Sequence, residues 1–162
     1  MYVDAFYLQS IKDEYNNWLF YGRLPHITFY PLHTYSLGGC CTVDHDNYGN
    51  ALYYVGVTDY YDLNVVQVRQ ILLHELIHVY LYTMHGTDGL RHGKLFKQEM
   101  ARLSQLTGLS VTIRADVNAP KRHNFLKAWL KTGREESIGL NEQEAFRDRP
   151  PLMSKGSGTW YN

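Results

Sequence analysis

The chain has 162 residues, a formal net charge of zero and 44% apolar residues, which fits one domain with a sizeable core and excludes a disordered chain. Its two cysteines, Cys40 and Cys41, are adjacent; vicinal cysteines rarely pair and no C-x-x-C spacing exists, so a disulfide framework and a cysteine-based structural zinc site are both excluded. No run approaches the ~18 apolar residues of a membrane span, and Met1 to Gln9 has neither a basic nor an apolar signal region, so an intracellular address with no membrane partner is expected.

Asp4 to about Phe20 is predicted as an amphipathic helix, because Phe6, Tyr7, Ile11, Tyr15, Trp18 and Leu19 recur at three- and four-residue steps. Gly22 and Pro25 end it. His26 to Tyr30 is a short alternating strand ahead of Pro31. Tyr35 to Val43 is a second, in which Gly38-Gly39 marks a bulge or a tight approach. Asp44 to Asn50 is a turn cluster and Ala51 to Thr58 a third strand, so the strands either side of the turn should form a hairpin. Asn64 or Asp62 can cap the next helix, from about Val65 to Met84. Apolar residues lie on most of its faces, which implies burial on several sides. His85 to Leu90 reads as a loop. A further helix runs from about Lys94 to Thr107, closed by Gly108 at the C′ position. Ser110 to Ala115 alternates as a strand, Pro120 to Lys131 is a basic amphipathic helix, and Asn141 to Phe146 a short one. Residues 147–162, rich in Pro, Gly and Ser, read as a mobile tail.

The chemistry sits at Ile71 to His78, which reads I-L-L-H-E-L-I-H. A helix turns once per 3.6 residues, so His74 and His78 lie on one face, about one turn apart, where two imidazoles can share one metal ion. Burying two histidines and a glutamate in an apolar helix is costly, and a metal would offset that cost. The pattern is the H-E-x-x-H of zinc peptidases, in which Glu75 is general base rather than ligand. A catalytic zinc needs a third protein ligand and one open position. His85 is too far, since seven residues past His78 is about 10 Å along the axis. The metzincin spacing is absent, because Leu81 and Met84 stand where it needs Gly and His. His92, Glu99 and Asp88 remain. His92 is favoured because it opens the following helix, where a reversing loop can bring it over the metal.

Residues His74 to Thr112 read H-E-L-I-H-V-Y-L-Y, then R-H-G-K-L-F-K-Q-E-M-A-R-L-S-Q-L-T-G-L-S-V-T. This resembles the protease domain of the SprT/Spartan family, where H-E-x-x-H is followed after a loop by H-G-x-x-F and a helix ending in L-T-G. The N-terminal half agrees more loosely, through Asn17-Trp18-Leu19-Phe20, Leu24-Pro25 and a glycine-containing hairpin. The resemblance covers roughly Asp4 to Thr112, is specific from His74 to Gly108, and implies an α+β, zincin-like metallopeptidase with a small mixed or antiparallel sheet packed on a central HExxH helix and helices flanking it; the domain is expected to run over residues 1–146. The resemblance also implies Zn²⁺ held by His74, His78 and His92, Glu75 as the catalytic glutamate, and a DNA-associated or DNA-crosslinked protein as substrate. Eukaryotic members continue with a cysteine-containing zinc-binding subdomain that engages DNA. Here the matching segment, 116–134, has no cysteine and carries Lys121, Arg122, Lys127 and Lys131 instead. Charge is uneven in the same sense: Met1 to Leu90 holds three basic residues against nine acidic, Arg91 to Arg134 ten against two. Such a patch suits a polyanion such as single-stranded or damaged DNA, although a solvated helix face gives the same pattern. Two further readings stand beside this one: a peptidase cleaving a soluble regulatory protein without DNA, and a non-catalytic metal-binding module.

Overall fold

The computed structural model describes residues 3–113, 119 and 158–161. Helix α1 (Ala5–Leu19) starts where Asp4 accepts the Tyr7 backbone N–H at 2.7 Å. Its buried stripe is Leu8, Ile11, Tyr15 and Leu19, and Phe6 and Trp18 are exposed, contrary to the sequence expectation. The reason is angular: at about 100° per residue Phe6 stands nearly opposite Leu8, and Trp18 falls at the stripe's edge.

Strands β1 (Ile27–Leu32), β2 (Gly39–His45) and β3 (Ala51–Thr58) form a mixed sheet, with β4 (Gly158–Tyr161) added in the order β1-β3-β2-β4. β1 runs parallel to β3, and β2 runs antiparallel to both β3 and β4. The expected hairpin is present. Asp46 closes its turn by accepting the backbone N–H groups of Tyr48 and Asn50, and Gly49 supplies the positive φ. β1 extends two residues beyond its expected end, through Pro31. β1 is an edge strand, and an edge tolerates a residue without an N–H.

Helix α2 (Val65–His85) crosses one face of this sheet. Asn64 and Gln67 cap it reciprocally: Asn64 Oδ1 accepts the Gln67 N–H at 2.9 Å and Gln67 Oε1 accepts the Asn64 N–H at 3.0 Å. From Ile71 to Leu81 every side chain is buried, because the helix has the sheet on one side and α1 and α3 (Lys94–Thr107) flanking it. Arg69 ties α2 to α1 through a bidentate pair with Glu14 at 3.1 and 2.9 Å. The core joins Cys41, Val43, Val55 and Val57 of the sheet to Leu72, Leu76 and Val79 of α2, Leu8 and Ile11 of α1, and Phe96 and Leu103 of α3. Both cysteines are free and buried.

His85 to Leu90, expected as a loop, contains a 3₁₀ turn over Gly86–Leu90. α3 ends at Gly108 in the left-handed conformation, φ 72°. The expected strand at Ser110–Ala115 does not form in its described part. There the backbone turns back on α3, with the Val111 N–H reaching the Leu109 carbonyl at 3.2 Å and Ser104 Oγ at 3.3 Å. Of the expected tail, Gly158–Tyr161 is strand β4. The expected helices at 120–131 and 141–146, with Lys121, Arg122, Lys127 and Lys131, lie outside the described residues. Among the described residues no helix is long and apolar enough to cross a membrane.

Candidate metal centre

α2 places His74 and His78 one turn apart on one face, and both are buried. The 3₁₀ turn and the residues after it reverse the chain and bring His92 over them, just before α3 begins. The three Nε2 atoms converge. His74 and His78 are 3.3 Å apart, His78 and His92 3.0 Å, and His92 and His74 3.1 Å. His74, His78 and His92 are the group that could hold a metal ion among the described residues.

The other ring nitrogens decide which tautomer each histidine adopts. His74 Nδ1 lies 2.7 Å from the Thr112 carbonyl, and His78 Nδ1 lies 3.0 Å from the Gly89 carbonyl. A carbonyl only accepts, so both Nδ1 atoms donate, and the Nε2 atoms of His74 and His78 present lone pairs. Lone pairs facing one another at this range repel unless a cation lies between them. A tetrahedral ion with metal–nitrogen bonds of about 2.0–2.1 Å needs ligand nitrogens about 3.3–3.4 Å apart, close to the observed spacing. Backbone carbonyls that fix the ligand tautomer are also the usual outer support of a metal-bound imidazole. The donor set therefore fits a metal ion.

Electrostatics point the same way. Burial pushes the His74 imidazolium down to about 4 and that of His78 to about 2, with neighbouring imidazoles adding to the effect. His92 shifts in the same direction for the same reason. All three are neutral at physiological pH, which is the ligating form.

Glu75 is fully buried on α2, and neither carboxylate oxygen has a hydrogen-bond partner. Burial alone raises its pKa well above the ordinary carboxylate value. The carboxylate packs against β2 at Gly39. A Cβ on Gly39 would stand 2.6 Å from Glu75 Oε1 and 2.9 Å from Ile71 Cγ2, so only glycine lets the strand approach so closely. This is the tight approach that the Gly38-Gly39 pair announces in sequence. An orphaned buried carboxylate one residue along α2 from a metal-competent histidine is a costly arrangement that ordinary packing does not explain.

The two other candidates for third ligand lie elsewhere. Glu99 is engaged by Arg102, whose Nη2 donates at 2.8 Å and whose Nε donates at 3.2 Å to each carboxylate oxygen. Arg102 also donates to the Leu19 carbonyl at 2.9 Å, which holds the pair toward α1. Asp88 is exposed and faces Arg91 at 3.8 Å.

Sequence reasoning missed three supports. Phe96 packs against all three imidazoles, at 4.5 Å centroid distance from His78, 4.7 Å from His92 and 4.8 Å from His74, and closes one side of the cluster. It is the F of the H-G-x-x-F pattern, four residues after His92 on the first turn of α3, and that spacing is the signal for its role. Gly89 is the second. A Cβ there would collide with the α2 backbone at Leu81 and Tyr82, so glycine is what lets the turn lie close enough for its carbonyl to reach His78. The Thr112 carbonyl is the third.

A search of curated proteins returns no match. The model of the SprT-like family matches residues 8–115, more than half of the chain, and that span contains the three imidazoles, Glu75 and both carbonyls that hold the rings. The chain belongs to the SprT-like family.

Proposed function

We propose that the protein is a zincin-type zinc metallopeptidase that hydrolyses peptide bonds in protein substrates. The observation that carries this reading is the convergence of three Nε2 atoms at a helix whose next residue after His74 is Glu75, a buried carboxylate that has no hydrogen-bond partner. His74, His78 and His92 would hold the zinc. Three protein ligands leave one tetrahedral position open, which is the pattern of catalytic rather than structural zinc. Bound there, zinc supplies Lewis acidity, lowering the pKa of water toward ~7 and polarising the scissile carbonyl. Glu75 does the proton work: it accepts a proton from the attacking water and passes it to the leaving amine. A carboxylate with no donors around it holds a proton more tightly than a hydrogen-bonded one, which suits a group that must accept one. The Thr112 and Gly89 carbonyls keep two imidazoles in the ligating tautomer, and Phe96 limits their rotation. Removing metal with a chelator should abolish cleavage of an unfolded protein such as β-casein, and one equivalent of zinc should restore it. Cleavage that survives complete metal removal would overturn the reading.

DNA-associated or DNA-crosslinked proteins are the substrate class we favour. Family membership and the excess of ten basic over two acidic residues between Arg91 and Arg134 support this. If Lys121, Arg122, Lys127 and Lys131 each neutralise a phosphate, the affinity for single-stranded DNA should fall with a log–log salt slope of about −3. Titrations from low to physiological salt measure this slope. No binding at low salt removes DNA from the proposal and favours a soluble regulatory protein as the substrate.

A further inference from the structure

Strand β4 comes from outside the span matched by the family model. It occupies the flank of β2 that β3 leaves open. Its register is antiparallel, pairing Gly39 with Tyr161, Cys40 with Trp160, Cys41 with Thr159 and Thr42 with Gly158. Alternate residues of β2 face α2. Gly39 meets Glu75 and Ile71, while Cys41 and Val43 join the main core. The end of the β2–β4 ladder that holds Gly39 and Tyr161 therefore lies at the Glu75 carboxylate.

This flank of β2 offers a row of backbone N–H and C=O groups to any extended chain. Recognition of that kind works through the main chain and tolerates many sequences. An extended substrate segment delivered to Glu75 along this strand would need the same groups that β4 now satisfies. Two strands cannot hold one flank.

We propose that β4 is a competitor in cis: residues 158–161 hold the edge of β2 beside Glu75 and must leave before an extended segment of substrate can lie there. The consequence for activity rests on the metallopeptidase reading above; the pairing itself does not. Four register pairs make a weak ladder on their own. A tethered strand, however, is presented at an effective concentration of order millimolar, enough to keep the edge mostly but reversibly filled. The expected effect is therefore partial inhibition.

The test compares the zinc-loaded full chain with a chain ending at Ser157 and with full-length Thr159→Pro, since proline interrupts a ladder. Both variants should cleave β-casein about three- to tenfold faster than the full chain. The free peptide G-S-G-T-W-Y-N, the sequence of residues 156–162, should slow the shortened chain when added at millimolar concentration. Hydrogen exchange gives a readout that needs no catalysis. The β2 amides at 39–42 that face away from β3 should exchange at least tenfold faster in both variants. Unchanged exchange, or unchanged cleavage with no effect of the peptide, overturns the proposal while leaving the peptidase reading intact. If the full chain and both variants are inert toward protein while exchange at β2 still differs, the peptidase reading fails and takes the regulatory claim with it.

Discussion

Glu75→Gln should retain zinc and lose about 10²–10⁴-fold in peptide-bond cleavage, the range set by removing general acid–base transfer. The substitution keeps the side chain's size and shape, which matters because the site is fully buried and Gly39 leaves no slack against it. What changes is proton affinity: an amide cannot accept the proton of the attacking water. The three imidazoles are untouched, so metal content measured by atomic absorption should match wild type. Stability should move the other way. Glu75 is buried with both oxygens unpartnered, so the wild type bears the desolvation cost of a carboxyl group that no donor offsets. Burial already disfavours the charged form, and a neutral amide of the same shape cannot take it at all. The melting temperature of Glu75→Gln should therefore equal or exceed that of the wild type. Activity falling while stability holds or rises is the signature of a residue retained for chemistry rather than for packing. A variant that cleaves at the wild-type rate removes Glu75 from the mechanism.

Much of the scaffold was legible because its signals were local. β3 and α3 have the boundaries that sequence assigns them, and α2 differs by one residue at its end. Each has a local marker: Asn64 or Asp62 as a cap for α2, Gly108 at C′ for α3, a turn cluster before β3. The errors have tertiary causes. Alternation at Ser110–Ile113 resembles a strand, but the segment is held by tertiary contacts, the Thr112 carbonyl with His74 and the Val111 N–H with Ser104, and these override a weak β preference. Pro31 suggests a strand end only if the position is central, and the sheet order that makes β1 an edge is not a local property. At the site itself, side chains were readable and backbone was not. H-E-x-x-H identifies two imidazoles and a carboxylate by spacing. The carbonyls of Gly89 and Thr112 have no side-chain signature, and neither does the collision that makes Gly89 necessary. The third imidazole falls between these cases. His92 was a candidate by position, but setting Glu99 aside depended on Arg102 and Leu19, which meet only in the folded chain.

That distinction gives the second large expected effect. His92→Ala should lose zinc, while Glu99→Ala should keep one equivalent. Altering outer-shell support alone typically costs 10–100-fold in metal affinity, so deleting a ligand should cost at least about 100-fold. His92 is also the imidazole of the three whose removal disturbs the fold least. It lies between the 3₁₀ turn and α3 and is half-buried, whereas His74 and His78 are inside the core. His92→Ala should therefore remain folded without metal, which lets zinc titration report the ligand set rather than unfolding. Glu99→Ala breaks the pair with Arg102 but leaves Arg102 its bond to the Leu19 carbonyl, so the loss should be about 1 kcal/mol of stability. Zinc stoichiometry by calorimetry, read beside thermal melts of both variants, separates the two effects. Loss of metal in Glu99→Ala with retention in His92→Ala would mean that α3 turns its Glu99 face inward when metal binds. In that case the Arg102 pair would be a resting contact that opens, and the convergence of three imidazoles would belong to the metal-free chain alone.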